Sequence, residues 1–323
     1  MMEKTEILTN LQSGAAGTLS VRTHSPGKKN NVLESAFERV HGRRKRIQKI
    51  LFMLFRMAAL INGIGLFVVV FFIAGKGWKA ITWEFLTQAP TDSMTKGGIL
   101  PCIVGTLCLG IGAIVVALPI GVASAIYLNE YARPGRVLRL IRLGISNLAG
   151  VPSVVFGLFG LAFFVIWLGM GESILAGVLT LAALTLPVII GSTEEALKSV
   201  PNTYREASLA LGATQWQTIY RVVLPAALPG ILTGAILGLS RAAGETAPIM
   251  FTAAVFYTPT LPTSPFSKIM ALPYHIYVLA TAGTNIEATR PLQYGTALVL
   301  IAMVLGMNLV AIIWRARLRK RMK

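Results

Sequence analysis

EEALKSVPNTYREASLALGATQWQTIYRVVLPAALPGILTGAILGLSRAAGETAPI, residues Glu194–Ile249, has two halves of opposite character. The first half, Glu194 to Arg221, is a polar and helix-prone interruption between two long apolar runs. The second half returns to an apolar run, in which Arg241 and Glu245 form an ionisable pair. This pattern predicts a membrane protein with a helix that contacts a partner outside the bilayer and a charged pair within it.

The composition of the whole chain agrees with a membrane protein. Of its 323 residues, 54% are hydrophobic and 13% are charged, and the mean hydropathy is +0.66. Soluble chains usually carry about a quarter charged residues. Several apolar runs exceed about 18 residues, which is enough to cross a hydrocarbon core of roughly 30 Å. The net charge of +17 clusters beside these runs. We therefore interpret it as topology signals and lipid-headgroup contacts, and we expect no nucleic-acid partner.

Six apolar runs alternate with loops whose basic residues follow the positive-inside rule. The arginine-rich stretch 129–142 and the basic tail that starts at Arg315 then lie on the cytoplasmic side, as do both termini. The predicted fold is an all-α polytopic bundle of six transmembrane helices. The predicted spans are Ile50–Ala74, Ile99–Leu128, Leu143–Leu168, Ile174–Gly191, Val222–Phe256 and Leu292–Trp314.

Four regions follow from this pattern. Residues 1–49 are predicted to be a largely disordered cytoplasmic tail that ends in a basic anchor, and residues 315–323 a second, basic cytoplasmic tail. Between them lie the first span with its outer loop, residues 50–98, and a core of the remaining spans, residues 99–314. The anchor consists of Arg43, Arg44, Lys45, Arg46 and Lys49.

No motif for catalysis or metal binding is present in the sequence. The three histidines, His24, His41 and His275, are too scattered to indicate a metal site. Cys102 and Cys108 are six residues apart on one predicted helix and point to different faces, so no disulfide is expected between them. We expect no cofactor.

The polar interruption is predicted to contain a short helix, Tyr204–Leu211, that begins after Asn202 and Thr203. Its few apolar residues cannot form a core of their own, so the helix is predicted to dock into a groove of a partner. The alternative interpretation is an amphipathic connector that lies on the lipid headgroups. Gly212 permits a turn after the helix.

The spacing of this segment resembles the EAA–G–IxLP signature of ABC-importer permeases. Three residues separate Glu206-Ala207-Ser208 from Gly212, and nine more separate Gly212 from Val222-x-Leu224-Pro225. Ser208 in place of the second alanine and Val222 in place of isoleucine are mild departures. The resemblance implies a type-I importer permease fold in which this segment is the cytoplasmic coupling helix. By that likeness the residues that dock the ATPase are Glu206, Ala207, Ser208, Gly212, Leu224 and Pro225.

Arg241 and Glu245 are four residues apart and are predicted to interact on one helix face. Arg241 lies about 18 Å beyond Pro229, where a guanidinium is costly unless it faces water or a partner. One interpretation is a purely structural ion pair. The other is an anion site, because the guanidinium fork matches the geometry of oxyanions. Glu245 would then hold Arg241 in place or accept a proton from a ligand such as hydrogenphosphate.

The string SRAAGETAPI (Ser240–Ile249), together with VPSVVFGLFG (Val151–Gly160), resembles the A-type permeases of bacterial phosphate-specific ABC transporters. The resemblance covers roughly residues 45–320. It implies a subunit of a bacterial inner-membrane importer, and it assigns the substrate path to Arg241, Glu245 and Thr246. The implied partners are a second, homologous permease, an ATPase dimer and an extracytoplasmic phosphate-binding protein.

Three alternatives to this interpretation stay open at the level of the sequence. The first is a permease for another oxyanion, such as sulfate, molybdate or phosphonate. The second is an ion-coupled secondary transporter that needs no ATPase, and the third is a sensor or scaffold without transport. In the favoured interpretation the chain is not an enzyme, because a separate subunit hydrolyses ATP.

Overall fold

The computed structural model describes residues 29–94, 96–282 and 286–321. The chain divides into two compact units, Met1–Val68 and Val69–Lys323. The part of the predicted tail that comprises residues 1–28 lies outside the described residues.

The first long helix, α1, comprises Lys29–Gly77 and therefore begins well before the predicted start of the first span at Ile50. The sequence between its ends contains no proline, so the helix continues from the basic anchor into the apolar run without a break. Its apolar part forms a candidate membrane span, Gln48–Ala80, which includes the predicted span.

The outer segment that follows α1 is folded. It contains a 3₁₀ turn, Trp78–Ala80, and a short helix, α2. Thr82 caps α2 by accepting a hydrogen bond from the backbone N–H of Phe85 at 3.1 Å. A small antiparallel ribbon pairs Pro90 with Gly97. The bounds are Trp83–Thr87 for α2, Pro90–Thr91 for β1, Asp92–Met94 for a second 3₁₀ turn and Lys96–Gly97 for β2.

The remaining described elements are all helical. Three π-helical turns, Tyr127–Tyr131, Leu161–Trp167 and Ile219–Val223, continue the helices α3, α5 and α8. The helices are α3 (Leu100–Ile126), α4 (Arg136–Ala149), α5 (Ser153–Gly160), α6 (Ile174–Lys198), α7 (Asn202–Ala210), α8 (Gln215–Thr218), α9 (Leu224–Gly244), α10 (Ala247–Thr252), α11 (Leu272–Thr281) and α12 (Ile286–Arg321).

Within the described residues, five helices are long and apolar enough to cross a membrane, and a sixth span results if the bent pair of α4 and α5 counts as one. The predicted number of six is confirmed on that count. Besides the span in α1, the long ones are Leu100–Tyr131, Ile174–Lys198, Gln215–Gly244 and Thr289–Leu318.

The predicted third span, Leu143–Leu168, is wrong as a single straight helix. Its two halves, Arg136–Ala149 and Ser153–Trp167, are bent by 100°. The break follows from Gly150 and from Val151, which precedes Pro152, because a residue before proline is disfavoured in the helical region. The first half, α4, has polar and apolar faces and contains no buried residue.

The ends of the predicted fourth and fifth spans are also wrong. Helix α6 continues through Pro187, which is buried in the bundle, and ends only at Lys198 instead of Gly191. Neighbouring helices can compensate the hydrogen bond that such a proline removes. The fifth span starts earlier than predicted, at Gln215, and ends at Gly244 rather than Phe256.

Small residues allow α3, α6 and α9 to approach each other closely. A Cβ atom on Gly112 would lie 2.6 Å from Val178 Cγ2, and one on Gly121 would lie 2.6 Å from Ile189 Cγ2. Between α9 and α6, a Cβ on Gly230 would lie 2.5 Å from Ala196 Cβ. The three helices therefore form the tightly packed centre that positions the site.

Candidate functional site

The charged pair lies at the end of α9. Arg241 Nε is 3.5 Å from Glu245 Oε1, so the predicted contact is confirmed. The predicted shared helix face is wrong, because α9 ends at Gly244 and Glu245 has extended backbone angles, φ −74° and ψ 135°. Glu245 thus approaches Arg241 from the connection between α9 and α10.

Two polar contacts with α12 indicate the depth of Arg241. Arg315, at the start of the basic tail, donates from Nη1 to Thr233 Oγ1 at 2.6 Å, and Ser240 Oγ donates to Asn308 Oδ1 at 2.7 Å. A basic residue of this kind marks the boundary of the hydrocarbon core. From Thr233 to Arg241 the helix rises about 12 Å. With Arg315 at that boundary, Arg241 is expected near the middle of a core of roughly 30 Å.

Only some of the donor groups of the Arg241 guanidinium contact other residues that the structure describes. Its side chain is 33% exposed and that of Glu245 is 18% exposed. Among the residues that the structure describes, Nη1 and Nη2 of Arg241 make no hydrogen bond. The neighbouring Gly244 borders open space, since a Cβ there would meet no atom within 4 Å. Two donor groups of Arg241 are therefore available to an anion, which a purely structural ion pair would not require.

The structure brings together the two motif segments that the sequence analysis identified. A Cβ on Gly157 in α5 would lie 2.9 Å from Pro248 Cα and 3.1 Å from Ala247 O in α10. Thr246 is the N-cap residue of α10 and makes no side-chain capping bond. Thr246 directly follows Glu245 in the sequence. Helix α5 thus packs against the start of α10, directly after the non-helical connection that carries Glu245 and Thr246.

A separate apolar cavity of about 480 Å³ lies beside α4, α5 and α6. None of the described residues that line it is charged, so these walls do not fit an anion. The lining residues include Ile145, Leu148, Phe156, Phe159, Leu186 and Ile190.

The predicted coupling helix is present as α7, Asn202–Ala210. Its N-cap is Pro201 and no side chain caps it, so the predicted start after Asn202 and Thr203 is wrong. The extended angles of Pro201, φ −57° and ψ 139°, end the preceding turn instead. Glu206 and Ala207 are exposed, and Leu211 is 89% exposed. The helix therefore presents a surface that the described residues leave uncovered.

Gly212 forms the turn that was predicted after this helix. Its φ of +83° lies in the left-handed region, which glycine adopts without steric cost. Ser208 faces inward and shares a hydrogen bond of 2.9 Å with Thr218 in α8. Leu224 packs against a cluster of buried side chains, while Pro225, at the start of α9, is exposed. Of the six residues assigned to docking, Glu206, Ala207, Gly212 and Pro225 are on the surface.

One ion pair near α7 was not predicted from the sequence. Arg205 Nη2 donates to Glu130 Oε1 at 2.8 Å, and Arg205 Nε donates to Glu130 Oε2 at 3.2 Å. Gln215 Nε2 donates to the backbone oxygen of Glu130 at 2.7 Å. The one available signal was that Glu130 is the only acidic residue in the arginine-rich stretch 129–142. The two partners are 75 residues apart, so nothing local indicated which arginine it binds.

A second unpredicted ion pair connects α4 with α6. The carboxylate of Glu194 is 3.0 Å from Lys198 Nζ and 3.4 Å from Arg142 Nε. Arg142 Nη2 also donates to Leu128 O at 3.1 Å. Glu194 is buried, and its two cationic neighbours compensate its charge. Charged side chains therefore connect α4 with the ends of α3 and α6.

Comparisons with known proteins agree with this architecture. Residues 117–323 match the family model described as binding-protein-dependent transport system inner membrane component. The probable ABC transporter permease protein YqgI of Bacillus subtilis is 33% identical over 266 residues, which cover 79% of this chain and 88% of that protein. The phosphate transport system permease protein PstA 1 of Mycobacterium tuberculosis is 39% identical over 245 residues, 74% of this chain and 79% of that protein.

A solved structure shows the same fold at low sequence identity. It is that of a bacterial alginate ABC transporter in complex with an alginate pentasaccharide-bound periplasmic protein. The match has a TM-score of 0.58 and 14% identity, and it covers 87% of this chain and 97% of that one. The bundle is therefore of the type-I ABC importer permease kind, and with the family match over residues 117–323 the chain belongs to the inner-membrane permease components of binding-protein-dependent ABC transport systems.

Proposed function

We propose that the chain is one permease subunit of an ATP-driven importer of inorganic phosphate. In this proposal it forms half of the translocation path together with a second, homologous permease. An ATPase dimer docks on its cytoplasmic face, and an extracytoplasmic binding protein delivers phosphate. The chain itself is a transport subunit and not an enzyme, because the ATPase subunits hydrolyse ATP. Relatives such as the mycobacterial phosphate permease support this choice of substrate.

The observation that carries the proposal is the incompletely bonded guanidinium of Arg241 near the middle of the bilayer. Its free Nη1 and Nη2 groups can donate two parallel hydrogen bonds to the oxygens of a phosphate. A partly exposed position lets hydrated phosphate reach the guanidinium. In a site of low dielectric constant, such charge-assisted hydrogen bonds are stronger than in water.

Glu245 and Thr246 complete the proposed path. Glu245 holds one side of the Arg241 guanidinium and leaves the other free. Its carboxylate can also accept a hydrogen bond from the protonated oxygen of hydrogenphosphate, which sulfate lacks. The hydroxyl of Thr246, which is not used for capping, can donate to a further phosphate oxygen. This combination favours a partly protonated oxyanion over a fully ionised one.

Access changes in this proposal when the ATPase moves the coupling helix. The exposed surface of α7, with Glu206 and Ala207, docks into the ATPase, and the Gly212 turn directs the chain back to α8 and α9. Leu224 and Pro225 start the helix that carries Arg241. Both termini are cytoplasmic, since the basic anchor and the basic tail then lie on the same side of a bacterial inner membrane.

Uptake by the reconstituted complex tests the proposal. Proteoliposomes that contain this chain, a second permease, the ATPase and a binding protein are expected to accumulate labelled phosphate when ATP is supplied. Arsenate is expected to compete and sulfate is not. Competition by sulfate or molybdate would indicate another oxyanion. Uptake that persists without ATP but with a proton gradient would indicate a secondary transporter, and complex formation without any uptake would indicate a sensor or scaffold.

A further inference from the structure

Arg205 lies where three elements meet at the cytoplasmic end of the bundle. It belongs to α7, and its partner Glu130 belongs to the π-helical turn that ends α3. Arg205 Nη2 also donates to Leu197 O at 2.9 Å, and Nη1 donates to Val200 O at 2.8 Å. Leu197 lies in the last turn of α6, and Val200 lies two residues beyond its end. One guanidinium thus joins the inner ends of α3 and α6 to the coupling helix.

All five N–H groups of this guanidinium have an acceptor. Four bonds go to Glu130, Leu197 and Val200, and the fifth goes from Nη1 to Asn202 Oδ1 at 3.3 Å. The side chains of Arg205 and Glu130 are only 16% and 8% exposed. Because the guanidinium is planar and all its donors are used, it fixes the orientation of the bonded groups as well as their distances from Arg205. Arg241, in contrast, has one ionic contact of 3.5 Å.

The same turn of α3 is also connected to the chain after the coupling helix. Gln215 at the start of α8 donates to Glu130 O at 2.7 Å. Glu130 is therefore bonded on both sides of the Gly212 turn, through its carboxylate to α7 and through its backbone oxygen to α8. A displacement of α7 has to displace Glu130 or break these bonds.

We propose that Arg205 and Glu130 form a joint that transmits movement of the coupling helix to the inner ends of α3 and α6. The inference rests on the proposed function, because the ATPase supplies the movement. Arg205 and Glu130 are positioning residues: neither touches the substrate, and both act on the spans that surround α9. The fork thus adds side-chain bonds between α7 and the end of α6 to the backbone connection through residues 199–201.

The substitutions Arg205→Lys and Glu130→Gln test the joint in the complete transporter. Lysine keeps the charge but cannot form the fork, and glutamine keeps the shape but loses the charge. Arg139→Lys is the matched control, because Arg139 is exposed and its side chain makes no hydrogen bond within the described residues. The ATPase is expected to co-purify with all three variants and to hydrolyse ATP. Phosphate transported per ATP is expected to fall at least about ten-fold in the two joint variants alone.

Hydrogen exchange provides a readout that a merely structural role would not change. When a non-hydrolysable ATP analogue binds, exchange is expected to change at residues 202–210 in every protein. At residues 127–131 it is expected to change in the wild type and the control, but not in the joint variants. The double variant is expected to be no worse than the more affected single variant, because the two residues act as one unit.

The result that would overturn the joint is an unaltered response of residues 127–131 in both variants. A proportional loss of uptake and ATPase activity together with loss of the ATPase from the complex would also overturn it, because the pair would then serve assembly only. A wild-type complex that hydrolyses ATP but takes up no phosphate would contradict the proposed substrate. In that case the hydrogen exchange of residues 127–131 in the wild type and the joint variants would still test the role of Arg205 and Glu130.

Discussion

Two arginines in this chain show how the same side chain serves opposite purposes. Arg205 has all five of its donors bonded to protein oxygens. Arg241 has a single ionic contact with Glu245 and two terminal nitrogens without a hydrogen bond among the described residues. A saturated guanidinium can only position the elements around it. An unsaturated one, held by one carboxylate in a partly exposed place, can bind a ligand.

Arg241→Gln is expected to lower phosphate uptake by at least ten-fold while the complex assembles normally. Each charge-assisted hydrogen bond to phosphate contributes about 1.5–3 kcal/mol, and glutamine retains neither the charge nor the fork. The measurement is initial uptake in proteoliposomes, with assembly checked by co-purification. Arg56→Gln is the control, because Arg56 is an exposed arginine of the first span. Equal uptake by the Arg241 variant and the wild type would rule out the proposed role.

His275 is expected to make the chain less stable at acidic pH. It is 3% exposed in α11, and its Nδ1 makes no hydrogen bond within the described part of the chain. Burial lowers the pKa of His275 from 6.5 to about 4. Below pH 6.5 the unfolded chain therefore binds the proton first. The free energy of unfolding is expected to fall between about pH 6.5 and pH 4, by up to roughly 3 kcal/mol.

Thermal unfolding in detergent at pH 7.5 and pH 5.0 measures this effect. In His275→Leu the destabilisation between these two pH values is expected to be smaller, because the titrating group is gone. The comparison uses the difference between the two pH values, so a constant packing cost of leucine does not affect it. The same pH dependence in both proteins would contradict the role of His275.

At the scale of single elements, the coupling segment depends on a backbone conformation. Gly212 has φ +83°, and a Cβ at this position would meet no atom within 4 Å. The restriction there is conformational and not a matter of space. Gly306 in α12 also borders open space, but its φ is not positive. These two glycines therefore separate the effect of the left-handed turn from that of an added methyl group.

Gly212→Ala is expected to loosen the coupling segment by about 1 kcal/mol, the cost of a left-handed conformation for alanine. This free energy corresponds to a rise of about five-fold in hydrogen exchange at residues 202–212. Weaker binding of the ATPase is expected to accompany it. Gly306→Ala is expected to change neither quantity. If both alanine variants behave alike, the turn at Gly212 is not what orders this segment.

The elements also show what local patterns predict and where they fail. The Glu206–Gly212 spacing correctly predicted a short helix followed by a turn, because helix propensity and glycine act locally. Two prolines of the predicted spans have different effects. Pro187 lies inside α6, whereas Pro152 accompanies a bend of 100°. The difference depends on whether neighbouring helices support the backbone around the proline, and that is not a local property.

At the scale of the whole molecule, the uncovered face of α7 is the proposed connection to the ATPase. Replacement of residues 202–212 by a glycine-serine linker of the same length is expected to abolish co-purification of the ATPase. Insertion into the membrane is expected to persist, because the six apolar segments remain. A glycine-serine replacement of residues 259–262 in the predicted outer segment is the control. Retention of the ATPase without residues 202–212 would show that another surface binds it.

The amino-acid sequence alone determined that this is a membrane protein with six apolar spans, a polar segment between the fourth and fifth spans and an ionisable pair near the end of the fifth. Hydropathy, charge bias and motif spacing are properties of residues that are close in the sequence, so they can be recognised without knowledge of the fold. Tertiary structure alone decided the 100° angle between α4 and α5, the continuation of α6 through Pro187 and the contact of Gly157 with Pro248. It also paired Arg205 with Glu130 across 75 residues, because which charges meet depends on how distant helices pack.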